Sequence, residues 1–322
     1  MIENRLQNKK NTSERMEKKM KYCVIGAGGT GGCIAAYMSR AGKDVTVIAR
    51  GAHLAKMQEK GICLICPNRE DEVIPVHAVD MEHYEETPDV IFVCVKGYSL
   101  ADTVPFIRRV AGSHTIVIPI LNIYGTGSRL QKEMPDILVT DGCIYVASQI
   151  SEPGKIQMNG SIFRIVYGVR EPEKLCRELF VVKQDLEDSG IEAILSDQIR
   201  RDALQKFSYV SPMAAAGLYY DADASRFQKT GDERDLFVAL IKEIDALAVA
   251  MGIPFQVDIV RNNLAILDSL AGSATTSMQR DIAAGKESEI DGLLCEVVRL
   301  GRQYHVPTPM YEMVVQKVCP GL

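Results

Sequence analysis

The chain has 322 residues, 25% of them charged and 47% hydrophobic, with a formal net charge of −5. This is the composition of a folded protein long enough for two domains. No apolar run reaches about eighteen residues, which excludes a membrane-spanning helix, and no basic stretch offers a field for nucleic acid.

Residues 1–19 are rich in Lys, Asn, Glu and Arg without an apolar period. They read as a disordered leader outside the fold, and the polar start Met1-Ile2-Glu3 lacks a signal-peptide core. A cytoplasmic protein is expected. The first strand is Tyr22-Cys23-Val24-Ile25, and it runs into Gly26-Ala27-Gly28-Gly29-Thr30-Gly31-Gly32 ahead of a helix-like run from Cys33. Gly26 permits the tight turn, Gly28 lets backbone approach a pyrophosphate, and Gly31 lets helix and strand pack closely. Gly29 and Thr30 are expected to bind the cofactor as part of this turn, and the N-terminus of the helix that follows offers free N–H groups and a positive dipole end to the phosphates. The alternative, a glycine-rich surface turn, does not account for the strand and helix on either side.

Lys43 to Ile48 reads as the second strand of a βαβ unit, followed by Ala49-Arg50-Gly51. A site selective for NAD places a carboxylate near this point to bond the ribose hydroxyl. An arginine suits a 2′-phosphate instead, so NADPH is the expected cofactor. His53 to Lys60 then reads as a helix closed by Gly61, with strands at Ile62 to Cys66 and Val73 to Val76. Asp89 to Val95 is a continuous apolar run, as in a parallel strand buried on both faces. Lys96 ends it. A helix over Leu100 to Val110 and a strand over Thr115 to Leu121 follow, the latter ended by Asn122.

Gly26, Arg50, Lys96 and Asn122 all follow strands at the carboxyl edge of the expected sheet, where open α/β sheets bind ligands. Singly, Lys96 reads equally as a solvated loop lysine and Asn122 as a turn former. Residues 137–168 read as a β-rich extension, with Lys155 to Met158 and Phe163 to Tyr167 flanking the hairpin signal Asn159-Gly160. A helix over Leu175 to Asp188 and a strand over Ile191 to Leu195 complete this half.

From Asp197 the apolar period is helical throughout. Asp232 to Met251 ends at Gly252 and Pro254, and Ile290 to Tyr304 continues the pattern. The fold class is therefore α/β: an N-terminal Rossmann-type NADP-binding domain over 20–196, then an all-helical C-terminal domain over 197–322. The cleft between them is the expected ligand site. Nine scattered cysteines, an odd number, argue against a disulfide framework. Cys63 and Cys66 have C-x-x-C spacing without a second pair, and read as buried small hydrophobes rather than metal ligands. No metal is expected.

In the helical half, Lys206 stands among apolar neighbours in Gln205-Lys206-Phe207. A ketone reductase needs a proton donor for the carbonyl oxygen and groups that fix the acid. Lys206, Glu289 and Ser277 could fill these places, although a helix lysine more often snorkels to water. The chain also resembles the ketopantoate reductase family. The likeness rests on Gly26 to Gly31, Val47-Ile48-Ala49-Arg50, Val93 to Lys96, Asn122 with Gly125-Thr126, Gln205-Lys206-Phe207, Thr276-Ser277-Met278 with Asp281-Ile282, Glu289-Ile290-Asp291 and Val306 to Pro309.

That resemblance implies reduction of a 2-oxoacid with NADPH on the route to pantothenate. Lys206 would be the general acid, Glu289 and Ser277 would hold substrate, and Lys96 and Asn122 would line the cleft beside nicotinamide and substrate. Two departures stand out. Asn122 is followed by Ile123-Tyr124 where the family has Asn-Gly. Val210 and Ala214 occupy substrate-facing positions where the family has asparagines. The expected partner is a small 2-oxoacid, ketopantoate first, with a homodimer left open. Reduction of another 2-oxoacid on the same fold, or a non-catalytic NADP-binding sensor, remain as alternatives.

Overall fold

In the computed structural model, which describes residues 19–67 and 69–320, the first half alternates strands and helices. It runs β1 (Lys21–Ile25), α1 (Gly29–Arg40), β2 (Asp44–Ile48), α2 (Gly51–Lys60), β3 (Ile62–Ile65), β4 (Glu72–Ile74), β5 (His77–Val79) and β6 (Val90–Val93). Next come α3 (Thr103–Val110), β7 (Ile116–Pro119), α4 (Thr126–Glu133), β8 (Leu138–Val139) and β9 (Asp141–Tyr145). It ends with β10 (Ser148–Glu152), β11 (Lys155–Met158), β12 (Arg164–Gly168), α5 (Arg177–Asp188) and β13 (Glu192–Leu195). Of the leader, residues 1–18 lie outside the described residues.

The main sheet has the order β5-β2-β1-β6-β7-β8, all parallel. The chain winds outward from β1 to β2 and β5, then restarts at β6 on the other side. The crevice at this switch point, beyond the ends of β1 and β6, is where such sheets bind ligands. Both faces are covered, and β1 shows why its sequence is apolar throughout. Tyr22 and Val24 pack into one core with Ile34, Ala35 and Met38 of α1, while Cys23 and Ile25 pack into another with Val104 and Ile107 of α3.

The β-rich extension departs from the expected pairing. Lys155 to Met158 pairs with β10 antiparallel and with β3 parallel, whereas β12 belongs to a separate sheet with β9 and β13. Asn159-Gly160 is therefore a crossing between sheets, not a hairpin turn. The real hairpin is closed by Pro153-Gly154, the pairing that suits a turn with positive φ at its second central residue, and Gly154 has φ 79°. Cys63 and Cys66 are half-buried rather than buried: β3 turns Cys63 away from the core on its alternate face, and Cys66 lies just past the strand's end, packed against the edge of the core.

The second half is helical: α6 (Ile199–Tyr220), α7 (Ala224–Phe227), α8 (Asp232–Ala250), α9 (Ile259–Ser269), α10 (Ser277–Ala283), α11 (Glu296–Tyr304) and α12 (Pro309–Val318). A π-helical turn, Asp291–Cys295, precedes α11 and interrupts the expected continuous helix. Such turns often sit at functional sites. α8 starts from Gly231 without a side-chain cap, although Asp232, Glu233 and Asp235 crowd its first turn, where carboxylates suit the dipole.

The long α6 contains Pro212, which has no N–H for the Ser208 carbonyl one turn back. Asn263 on α9 repairs this. Its Nδ2 donates to the Ser208 carbonyl at 2.9 Å and lies 3.0 Å from Ser208 Oγ. The helix can thus carry a proline through a buried core, and α9 is tied to the segment bearing Lys206. Among the described residues, no helix is long and apolar enough to cross a membrane.

Candidate active site

The glycine turn has the shape that a dinucleotide needs. Gly26 has φ 97°, and a Cβ on Gly31 would stand 2.0 Å from the Gly26 carbonyl oxygen. A Cβ on Gly28, by contrast, would meet nothing within 4 Å, so the space before it is open. Gly28 is also the N-cap of α1 and offers no side-chain bond, leaving first-turn N–H groups, at Gly29 and Thr30 among them, for an anion. Gly29 has a packing reason as well, since its Cβ would collide with the β10 backbone at Ser148, 2.6 Å away.

Arg50 caps α2 at the end of β2 and is exposed. No side-chain hydrogen bond or ion pair engages it among the described residues. His53, one turn into α2, braces the glycine turn. Its Nε2 donates to the Ala27 carbonyl at 2.9 Å, and its Nδ1 accepts the Gly154 N–H at 2.9 Å. Burial holds this imidazole below its ordinary value, against the opposing pull of the Ala27 carbonyl.

At the ends of β6 and β7 stand the other two residues expected from sequence. Lys96 Nζ donates to Asp281 Oδ2 and to Glu289 Oε2, both at 3.0 Å. The Gly97 N–H donates to Glu289 Oε1 at 3.0 Å. Burial alone would lower the Lys96 ammonium, but the two carboxylates outweigh it and hold its pKa up. Asn122 receives Lys206: Nζ donates to Asn122 Oδ1 at 2.5 Å. Lys206 is only 8% exposed. Burial pushes its ammonium below the ordinary value, while Cys143 and Glu289 pull the other way.

Loops of the sheet thus meet helices of the second half through two lysine contacts. Expected partners are redistributed between them. Glu289, 4% exposed, pairs with Lys96 and Gly97 and makes no hydrogen bond to Lys206. Its charge still reaches Lys206 through space. Around Lys206, a narrow cavity is lined by Asn122, Ile123, Tyr124, Cys143 and Phe207.

Ser277 is the first residue of α10, beside the Thr276–Gln279 capping box. Asp281, one turn on, touches Lys96, so this face of α10 looks toward the same crevice. Val210 lies one turn beyond Lys206 and is half-buried. Ala214 does not line a cleft. It is 0% exposed and sealed in the helical core with Ala215 and Ala216. The reason is angular: eight residues along a helix turn a side chain by about 80°, twice the drift of four.

Gly97, His53 and Asp281 carried no site role in the sequence reading. Their contacts span sequence distances from 26 residues (His53–Ala27) to 192 (Gly97–Glu289), with Gly154–His53 and Lys96–Asp281 between, and no local pattern announces them.

Comparison with known proteins agrees with this architecture. Residues 22–172 match the family model "Ketopantoate reductase PanE/ApbA", and residues 198–319 match "Ketopantoate reductase PanE/ApbA C terminal". A 2-dehydropantoate 2-reductase of Mesorhizobium japonicum is 27% identical, over 93% of this chain and 97% of the relative. Among solved structures, 2-dehydropantoate 2-reductase from Methylococcus capsulatus superposes with a TM-score of 0.82 at 26% identity, covering 92% of this chain and 94% of the other. A D-mandelate dehydrogenase, solved with NADH and anilino(oxo)acetate, shares the fold with a TM-score of 0.83 at 21% identity, over 93% and 97%.

Proposed function

The chain belongs to the ketopantoate reductase family of nicotinamide-dependent oxidoreductases, and on that premise we propose that it reduces a 2-oxoacid with NADPH, ketopantoate being the leading substrate. The observation that carries this reading is the Lys206–Asn122 contact: a buried ammonium resting on one neutral acceptor at 2.5 Å. Gly26, Gly28 and Gly31, with the first turn of α1 at Gly29 and Thr30, would hold the pyrophosphate. Arg50 would fork onto the 2′-phosphate. Bound there, the cofactor would supply the hydride for the substrate's carbonyl carbon.

The protein's own work is then proton delivery and orientation. The substrate's carbonyl oxygen takes over from Asn122 Oδ1 as acceptor, and Lys206 Nζ gives it the proton as the C–O double bond becomes a hydroxyl. Burial favours this, because a lowered pKa makes the ammonium a better acid nearer neutral pH. Glu289 and Lys96 form a braced pair beside it, and the Ser277 hydroxyl donates to the substrate carboxylate.

A panel of 2-oxoacids with NADPH oxidation as readout tests the reading. Turnover of ketopantoate is the expected result. Absence of turnover with every oxoacid would overturn the proposed substrate class.

A second reading keeps the reaction and changes the substrate. Val210 puts apolar surface where the family presents an asparagine. An oxoacid with an apolar tail and no terminal hydroxyl fits such a wall, and a chain of this fold is described as a D-mandelate dehydrogenase.

A further inference from the structure

Ile123 comes from the loop after β7, yet it is 6% exposed and packs in the core of the helical half. Its Cδ1 occupies a slot between two glycines. A Cβ on Gly97 would stand 2.0 Å from that atom, and a Cβ on Gly292 would stand 2.2 Å from it. Neither glycine has positive φ, so the two positions are short of room rather than of conformational freedom. Both adjoin Glu289. Gly97 donates its N–H to Oε1, and Gly292 lies in the π-helical turn just after it. A Cβ on Gly97 would also come within 3.7 Å of Glu289 Oε1. One methyl group therefore touches both backbone segments that place the carboxylate, and its residue directly follows the Asn122 that holds Lys206.

We propose that Ile123 is a positioning residue: wedged between Gly97 and Gly292, it sets where the Glu289 carboxylate stands relative to the Lys206 ammonium. This rests on the reading of Lys206 and Glu289 as reaction machinery. With the wedge in place, Glu289 stays on Lys96 and the Gly97 N–H, and Lys206 stays on Asn122. Without it, the turn carrying Glu289 can settle toward Lys206, and water can follow. The groups facing that ammonium are the Asn122 carbonyl oxygen, the Cys143 thiol on β9 and the Glu289 carboxylate.

The geometry separates the two glycines in a way that packing in general would not. Ile123→Val removes Cδ1 alone. The next atom from a Cβ on Gly97 is Ile123 Cγ1 at 3.5 Å, an ordinary contact. From a Cβ on Gly292, the next atoms are Cγ1 at 2.8 Å and Cγ2 at 3.1 Å, still a collision. Valine should therefore rescue Gly97→Ala and fail to rescue Gly292→Ala.

Gly97→Ala and Gly292→Ala are each expected to lower kcat about 100-fold, the scale of an ångström-level misplacement. Ile123→Val/Gly97→Ala should return to within about tenfold of the parent, while Ile123→Val/Gly292→Ala should not recover. NADPH affinity is measured alongside and should hold. If the Gly97 cycle couples in Tm but is additive in log kcat, the wedge is packing only and the proposal falls.

A second arm needs no substrate. The pH midpoint for acetylation of Lys206 by acetic anhydride, read by mass spectrometry, should rise by about one unit in Ile123→Gly as the carboxylate and water reach the ammonium. An unchanged midpoint would overturn the proposal. A parent that reduces no 2-oxoacid would count against the proposed function, and this arm would still decide the role of Ile123.

Discussion

Replacing Lys206 by alanine separates its chemistry from its part in the fold. Lys206 is 8% exposed, and among the described residues its ammonium makes one hydrogen bond, to Asn122 at 2.5 Å. Removing it leaves Asn122 without that donor, a cost of about 1–3 kcal/mol if the amide finds no water. It also removes a charge whose burial costs stability, so the two terms oppose each other and Tm should move little. The sign follows from the lowered pKa. The unfolded chain holds this proton to higher pH than the folded one does. The stability penalty is therefore present below the folded pKa and disappears as pH rises toward the ordinary lysine value of 10.5.

Catalysis has no such compensation. Loss of a general acid costs roughly 10²–10⁴ in kcat, with NADPH affinity nearly kept because the Lys206 ammonium bonds Asn122 and neither the glycine turn nor Arg50. In the parent, activity should fall as pH rises through the lowered lysine pKa, since only the ammonium can give a proton. Steady-state NADPH oxidation across pH, with NADPH titration of the variant, measures both. A Lys206→Ala protein turning over at the parent rate would refute the reasoning.

Arg50→Ala should erase most of a preference for NADPH over NADH, since a charge-assisted phosphate contact is worth about 1.5–3 kcal/mol, or roughly ten- to a hundred-fold in Kd; equal affinities in the parent would sink the idea. His53 should make stability fall with acid. Its folded pKa lies below 6.5, so the unfolded chain takes up a proton first as pH drops from that value, and His53→Gln should flatten the slope of urea midpoint against pH. Asn263→Ala should cost about 1–3 kcal/mol by leaving the Ser208 carbonyl unpaired opposite Pro212, seen as a lowered urea midpoint with unchanged m; a shift no larger than a surface substitution's would mean that water replaces it. Val210→Asn should raise kcat/KM for ketopantoate relative to branched-chain 2-oxoacids by about 0.5–1.5 kcal/mol, two- to twelve-fold; no change in that ratio would remove Val210 from the substrate wall.

The parts of the fold legible in the sequence are those written in short-range pattern. β1, the glycine turn and α1 follow from apolar strand, glycine spacing and helical run, and the switch to helices near Asp197 follows from period alone. Asn159-Gly160 misled because a turn signal names a bend and not a partner. Pairing was decided by Pro153-Gly154 and by β3, whose match with β11 joins residues about ninety positions apart. Ala214 misled because a resemblance carries residue positions but not the turn of the helix that aims them. Lys206, Asn122, Lys96 and Glu289 were each legible, yet their pairing was not. Which lysine faces which carboxylate depends on where a loop of the sheet docks on the helical half.

That pairing is what distinguishes the two lysines. Lys96 stands between Asp281 and Glu289, each 3.0 Å away, and their charges keep its proton on against burial. It is a fixed positive charge that anchors Glu289 and the α10 face, and it would be a poor acid. Lys206 is more deeply buried and leans on a neutral amide, with no carboxylate in ion-pair contact among the described residues. Its charged form is the dearer one, by about 1.4 kcal/mol for each unit its pKa is lowered. Reversed roles would require a proton to leave a lysine held by two carboxylates while a buried one kept its charge without a counter-ion. The electrostatics oppose both halves of that exchange. Asn122 completes the argument: a neutral acceptor can hold the waiting ammonium without raising its pKa as a carboxylate would, and can hand it to a carbonyl oxygen of similar acceptor strength. Asn122→Asp should thus raise the Lys206 pKa and slow proton delivery near neutral pH, and an aspartate variant as fast as the parent would show that the neutrality of this contact does not matter.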